Sequence, residues 1–235
     1  MLGYDKVTIL MPTYNRADFF LPRAIQSVLN QTYKDFELII GDDGSTDNTE
    51  EVVKSFKDSR IKYFKSEHLN NVHGFHNYWL KNSKSKYIAF LDDDCMFHPE
   101  NLNKKMDMIY DYAAVYSYAL NVLYNEGCNI PVSAGYRGQP FEINMYMFGG
   151  TYFNFIDISD ILVDRKKALE VGGLKEGCFF EDYALIAKLA MRYENGIGCV
   201  PEVLTETAVH IDKFGTDSNA KWRNSSSLME HINIY

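Results

Sequence analysis

Residues 7–11, Val-Thr-Ile-Leu-Met, form a short run rich in apolar and β-branched side chains that stops at Pro12. This is the pattern of a parallel strand buried on both faces that then enters a loop. From 19 to 29 the apolar positions Phe20, Leu21, Ala24, Ile25, Val28 and Leu29 return at helical spacing, with Pro22 in the first turn, where its missing N–H is tolerated. Residues 36–40 repeat the buried-strand pattern and lead into Asp42-Asp43-Gly44-Ser45-Thr46-Asp47. Glu50 and Glu51 then suit the positive end of a second helix. The same criteria predict a strand at 61–64, a helix at 74–82 and a fourth strand at 87–91.

Pro99 marks the start of a further helix, and 113–120 has the character of another strand. From 121 to 150 the chain is rich in Gly, Asn and Tyr without a clear period, which predicts a variable loop or hairpin insert over the site. Order returns at 161–163, with a turn at Gly172-Gly173 and a helical pattern over 182–193. Strands alternating with helices predict a mostly parallel sheet covered on both faces, with a ligand site beyond the carboxyl ends of the strands. Three polar clusters sit there: Thr13-Tyr14-Asn15-Arg16, Asp42-Asp43-Gly44-Ser45 and Asp92-Asp93-Asp94.

Composition narrows what those clusters can do. A chain of 235 residues, 46% hydrophobic and 24% charged, suits one compact α/β unit. Its net charge of −8, with basic residues scattered along the chain, excludes an electrostatic nucleic-acid surface. An acidic protein can still bind a diphosphate across a divalent cation. The four cysteines have no zinc-type spacing and fit a reducing compartment. No signal-peptide pattern opens the chain and no apolar run is long enough to span a bilayer, so a cytoplasmic location is expected.

Three consecutive carboxylates at a strand end repel one another and persist when a cation or a set of donors compensates them. In an extended segment Asp92 and Asp94 share a side, so one is able to hold a metal while the other takes a ribose hydroxyl or a bridging water; a solvated turn capping the helix after Pro99 is the plainer alternative. After the second strand, Asp42 or Asp43 is able to accept an imide N–H or a ribose hydroxyl, or to shape the turn. Glu181-Asp182 opens a helix, where a carboxylate serves as a cap or as a general base. His210 follows a strand-like run and is by spacing alone an ordinary structural histidine.

Taken in order, Met11-Pro12-Thr13-Tyr14-Asn15-Arg16, Asp42-Asp43-Gly44-Ser45-Thr46-Asp47, Leu91-Asp92-Asp93-Asp94, Gly172-Gly173-Leu174 and Glu181-Asp182-Tyr183 resemble a family 2 inverting glycosyltransferase with the GT-A fold. The resemblance implies a single domain over 1–235, with a Rossmann-like nucleotide-sugar half at about 1–98 and an acceptor half at about 99–235. It implies that Pro12, Thr13, Tyr14, Asn15 and Arg16 line the nucleotide pocket. Asp43 would read the base beside Asp42, while Asp92 and Asp93 face the ribose or donor sugar. Asp94 would bind Mn2+ or Mg2+ together with His210, and Asp182 would be the catalytic base. The implied donor is a nucleotide-diphospho-sugar, with UDP favoured, and the implied acceptor is a hydroxyl of a glycan or lipid-linked glycan.

After Asp182 the chain reads Ala-Lys-Leu-Ala-Met-Arg, without the Gln-x-x-Arg-Trp motif of processive synthases. That departure points to single additions, made in the cytoplasm or peripherally at the inner face of the membrane. Two alternatives share the pattern. A nucleotidyltransferase would ordinarily carry a Gly-rich phosphate loop after its first strand, where this chain has no glycine. A non-catalytic nucleotide-sugar or glycan-binding module would keep the pocket without turnover.

Overall fold

The computed structural model describes residues 5–68, 71–125, 131–137, 156–175 and 181–211. Its axis is β1 (Val7–Thr13), which lies parallel between β2 (Phe36–Asp42) and β4 (Tyr87–Phe90), with β3 (Ile61–Lys65) outside β2. Alternate β1 residues enter two different apolar clusters. Val7, Ile9 and Met11 join Leu38 and Ile40 of β2, and Leu21, Ala24, Ile25 and Val28 of α1 (Phe20–Leu29). Leu10 joins Ile39, Phe90 and Leu80, the last from α3 (Val72–Asn82). The short α2 (Thr49–Ser55) adds Val53 to the first cluster. At roughly 1.5–3 kcal/mol per fully buried aliphatic side chain, this two-sided burial selects parallel strands over an amphipathic sheet.

Both β1 and β2 run beyond the expected ends at 11 and 40, so Pro12, Thr13 and Asp42 belong to the sheet. Proline in a central strand is tolerated for a local reason. Leu10 O accepts Leu91 N on the β4 side and Thr13 O accepts Asp43 N on the β2 side. By alternation Pro12 faces β4, whose pairing with β1 ends at Leu10↔Phe90. Its missing N–H therefore removes no ladder bond, and the sheet splits at that point.

The other half of the sheet mixes directions. Among the described residues nine strands take the order β3-β2-β1-β4-β8-β6-β9-β5, with β7 paired to β6. Here β5 is Met96–Phe97, β6 Ala114–Asn125, β7 Pro131–Arg137, β8 Ile161–Asp164 and β9 Ile197–Ile211. Strand β8 is antiparallel to both β4 and β6, whereas β9 is parallel to β6 and carries β5 antiparallel on its far edge. Opposite Ser117 and Tyr118 the β9 register jumps from Val200 to Val203. Pro201, which has no N–H to give the ladder, lies in the skipped pair.

Helix α4 (Asn101–Met108), starting two residues after Pro99, packs Leu102 and Met106 on the first cluster. Helices α5 (Arg165–Glu170) and α6 (Glu181–Arg192) place Ala168, Leu185, Ile186 and Leu189 in the second. Both faces are thus covered, as the alternation predicts. The strand expected at 113–120 continues to Asn125 and pairs antiparallel with β7, so the start of the 121–150 insert is a hairpin. The remainder of that segment, 126–130 and 138–150, lies outside the described residues.

At the amino end of the sheet a buried polar knot ties β1 to β2 and to the chain before β4. Thr8 Oγ1 lies 2.8 Å from Glu37 Oε1, 2.9 Å from Ser83 Oγ and 2.8 Å from Ser85 Oγ. Lys6 and Lys62 both reach Glu37 Oε2. Burial pushes the Glu37 carboxyl up, but hydrogen bonds from Lys62, Thr8 and Lys6 outweigh it and hold the group below 4.5. Thr8→Val keeps the shape and strands these buried partners; urea denaturation should show a loss of about 1–3 kcal/mol. Because the folded pKa of Glu37 is depressed, its contribution is full above the unfolded value and fades as pH falls through the folded one. The melting-temperature gap between the protein and Glu37→Gln should therefore narrow on going from about pH 6 to about pH 3.

Candidate active site

After β1 the chain builds outward through β2 and β3, then crosses to place β4 on the other side of β1. The carboxyl ends of β1 and β4 are consequently a switch point, where the connections diverge and leave a crevice. Thr13 Oγ1 donates a 2.6 Å hydrogen bond to Asp93 Oδ2 across it. Burial and then the neighbouring Asp94 charge raise the Asp93 carboxyl; Thr13, Arg16 and the Tyr14 amide oppose them, leaving it at about 7.

Asp92 and Asp94 flank this buried group and are both half-buried, the alternation expected of an extended segment. Arg16 Nη2 stands 3.9 Å from Asp94 Oδ2. From below, the Asp92 N–H donates to Ser159 Oγ at 3.0 Å. Ser159 belongs to the single turn Ile158–Asp160, closed by reciprocal bonds: the Asp157 side chain accepts the Ser159 N–H, and the Asp160 side chain accepts the Asp157 N–H.

Cross-links between side chain and backbone lock the first two loops together. Asn15 adopts φ 52°, donates its N–H to Ser45 Oγ at 2.9 Å and accepts Thr46 N–H on Oδ1 at 2.8 Å. Ala17 N–H reaches Asp47 Oδ2 at 3.2 Å. Asp42, almost fully buried, accepts Ser45 N–H at 2.7 Å on one oxygen and the Tyr63 hydroxyl on the other. Asn15 and Asp42 thus shape the walls, and Asp43 with Tyr14 is left at the surface. Arg16 also lies over the Phe20 ring, 5.9 Å from its centroid.

A cavity of about 460 Å³ opens beside these tips, lined by Pro12, Asp42, Asp43 and the side chains of Phe64, Phe75 and Trp79. A slightly larger one, about 490 Å³, lies between α1, β5 and β9 and contains none of the residues anticipated from the sequence. The smaller cavity is the one that Pro12, Asp42 and Asp43 line, at the carboxyl ends of β1 and β2.

Asp182 is buried in the first turn of α6 and accepts the Tyr183 N–H at 2.7 Å on Oδ1. Leu185 and Ile186 of its helix belong to the same apolar cluster as Ile158 and Ile161. The Gly172-Gly173 turn divides in character. Both glycines have positive φ, but a side chain on Gly173 would strike Asn77 Oδ1 at 2.6 Å, whereas nothing lies within 4 Å of a Cβ on Gly172. Asn77 grips the following residue, donating to Leu174 O and accepting Leu174 N–H. Open space is therefore confined to Gly172. The backbone of His210 pairs with Tyr124 in β9, and its side chain lies outside the described residues. Among the described residues no three His, Cys, Asp or Glu side chains gather as a metal-holding group.

Several contributors carried little sequence signal. Ser159, Tyr63 and His68 act from segments without a recognisable motif; Asp157-Ile158-Ser159-Asp160 does have cap-like spacing that could have marked it.

A family model described as Glycosyl transferase family 2 matches residues 8–157. The chain is 32% identical over 187 residues, 77% of its length, to the UDP-Glc:alpha-D-GlcNAc-diphosphoundecaprenol beta-1,3-glucosyltransferase WfaP of Escherichia coli, of which 68% is covered. Its identity to WfgD, a second Escherichia coli protein with that description, is 41% over 103 residues, 44% of this chain and 40% of WfgD. An uncharacterized glycosyltransferase of Rickettsia conorii is 37% identical over 119 residues, 50% of this chain and 19% of that protein. The match thus spans 19% to 40% of the length of some curated relatives. Among solved structures, S. aureus TarS 1-349 in complex with UDP-GlcNAc matches 86% of this chain and 58% of its own at 18% identity and a TM-score of 0.61. The mannosyltransferase PcManGT from Pyrobaculum calidifontis, in complex with GDP-Man and Mn2+, matches 86% of this chain and 56% of its own at 16% identity and a TM-score of 0.64. These likenesses are of fold. With the family model spanning more than half of its residues, the chain belongs to glycosyl transferase family 2 and has the GT-A fold.

Proposed function

We propose that this domain transfers a hexosyl group from a UDP-sugar to a hydroxyl of a lipid-diphosphate-linked glycan, with inversion at the anomeric carbon. The observation that supports it most is the crevice where Thr13 holds Asp93, with Tyr14 and Asp43 on one side and Asp92 and Asp94 on the other. Tyr14 offers a flat face to a nucleobase and Asp43 an acceptor for its imide N–H. Asp93, whose carboxyl is raised to about 7 by burial and by the Asp94 charge, would accept from the ribose. The activities for which WfaP and WfgD are named make UDP-glucose and a GlcNAc-diphospholipid the pair to test first.

A divalent cation fits the donor set. Hard, octahedral Mg2+ and Mn2+ are commonly held by one or two carboxylates plus substrate phosphates, so no three-ligand protein cage is required. Asp94 would supply a carboxylate and His210 a nitrogen. When bound, the ion would neutralise charge on the departing diphosphate. Arg16, already facing Asp94, balances that carboxylate until then. Asp182 would take the proton of the attacking hydroxyl, and a single displacement opposite the diphosphate gives inversion. An acceptor on a lipid diphosphate would bring the domain to a membrane surface; no helix among the described residues is long and apolar enough to cross one.

Calorimetry with UDP should show tighter binding with Mn2+ than without it, and Asp94→Ala should erase that difference. Equal affinities for the unmodified chain with and without the ion would refute the metal-bridged donor. Asp182→Asn should bind UDP as before while transfer from UDP-glucose falls by about a hundredfold or more, the loss expected of a general base. Undiminished transfer by that variant would remove Asp182 from the mechanism, and turnover absent from the unmodified chain despite UDP binding would favour a binding module.

A further inference from the structure

The place assigned above to the nucleobase is already filled by a ring of this chain. The His68 imidazole stacks on Tyr14 with centroids 4.2 Å apart and planes inclined by 17°. Its Nδ1 lies 2.8 Å from Asp43 Oδ2 and 3.0 Å from the Asp43 carbonyl oxygen. With two acceptors facing it, Nδ1 carries a hydrogen and donates. A flat heterocycle with a ring N–H, stacked on an aromatic face and hydrogen-bonded to a carboxylate, is also the description of a bound uracil.

The segment that delivers His68 is docked, so the ring's position follows from the backbone. Ser66 N–H donates to Asp42 O at 2.9 Å. Gly44 turns with φ 80°, and a Cβ there would sit 2.7 Å from the His68 backbone nitrogen; only glycine lets the two backbones approach in this way. The side chain itself is lightly held, with 47% of its surface exposed against 25% for Asp43. Swinging it into solvent breaks its Nδ1 contacts to Asp43 and the stack on Tyr14, and opens no cavity in the core.

Resting on the nucleotide reading of this crevice, we propose that His68 is a specificity-determining residue that occupies the nucleobase slot of the empty protein and yields it only to a base replacing both of its contacts. Uracil, thymine and guanine each present a ring N–H to Asp43 and a face to Tyr14. Cytosine and adenine present an unprotonated ring nitrogen on the corresponding edge, so exchange would leave the carboxylate without the donor His68 had given it. Binding of a matching base is then a competition, and the affinity observed is the intrinsic one reduced by the fraction of molecules whose slot is open.

Calorimetry on the whole chain in Mn2+ tests this with UDP and with inorganic pyrophosphate, which has no base. His68→Ala should tighten UDP binding by about five- to thirtyfold and leave pyrophosphate binding unchanged. Unchanged or weaker UDP binding overturns the proposal, because His68 is then either irrelevant or a helpful wall of the pocket. Equal tightening of both ligands also overturns it, since the effect would lie on the diphosphate. Absence of UDP binding in both proteins, with both folded by circular dichroism, instead overturns the nucleotide reading beneath it.

Discussion

The hydrogen bond from Thr13 to Asp93 joins the two strand ends that the sheet has allowed to separate. Everything functional about the carboxyl edge depends on that separation being held at one width. Pro12 ends the β1–β4 ladder, and Thr13, one residue later, restores a connection through its side chain. Burying a carboxylate beside a second one is unfavourable. The fold offsets this with a hydroxyl, a backbone amide and the Arg16 cation, and it still leaves the Asp93 carboxyl near neutrality. A group so balanced is sensitive to what enters the crevice, which suits a contact to ligand better than a purely architectural role.

Around that bond the polar residues divide their work. Asn15, Asp42, Ser45 and Asp47 use their hydrogen-bonding capacity on neighbouring loops, and Ser159 supports the acidic segment from beneath. Tyr14, Asp43, Asp92 and Asp94 are held in place by those braces and remain partly exposed. The buried donors and acceptors thus fix the backbone that carries the more exposed residues.

The first half of the chain was legible because its strands are apolar on both faces, a pattern few other elements share, and because each strand runs directly into a polar cluster. The second half was less so. Strand β8 is four residues long and enters the sheet antiparallel between β4 and β6, an order that no periodicity encodes. Strand β9 is broken in register at Pro201, and its pairing with β6 spans 12 residue pairs separated by most of the insert. The site followed the same rule. Residues adjacent to a strand end were visible, whereas the inward turning of Asp42 depends on Tyr63 from the next strand, and the occupancy of the Tyr14 face depends on His68 from a loop without a motif.

Asp42 and Asp43 show why a motif alone does not assign roles. The two are chemically identical neighbours, and strand alternation sends their side chains in opposite directions. Asp42, in register with Thr13 at the last rung of β1 and β2, is turned in toward the Ser45 amide and the Tyr63 hydroxyl. Asp43, one step past the ladder, gives its N–H to Thr13 O and turns its carboxylate toward the His68 ring. A one-residue slip of β2 against β1 would exchange them, burying the outward carboxylate and exposing the brace. The register of two buried strands, set by the apolar side chains at 7–11 and 36–40, therefore decides which aspartate faces outward.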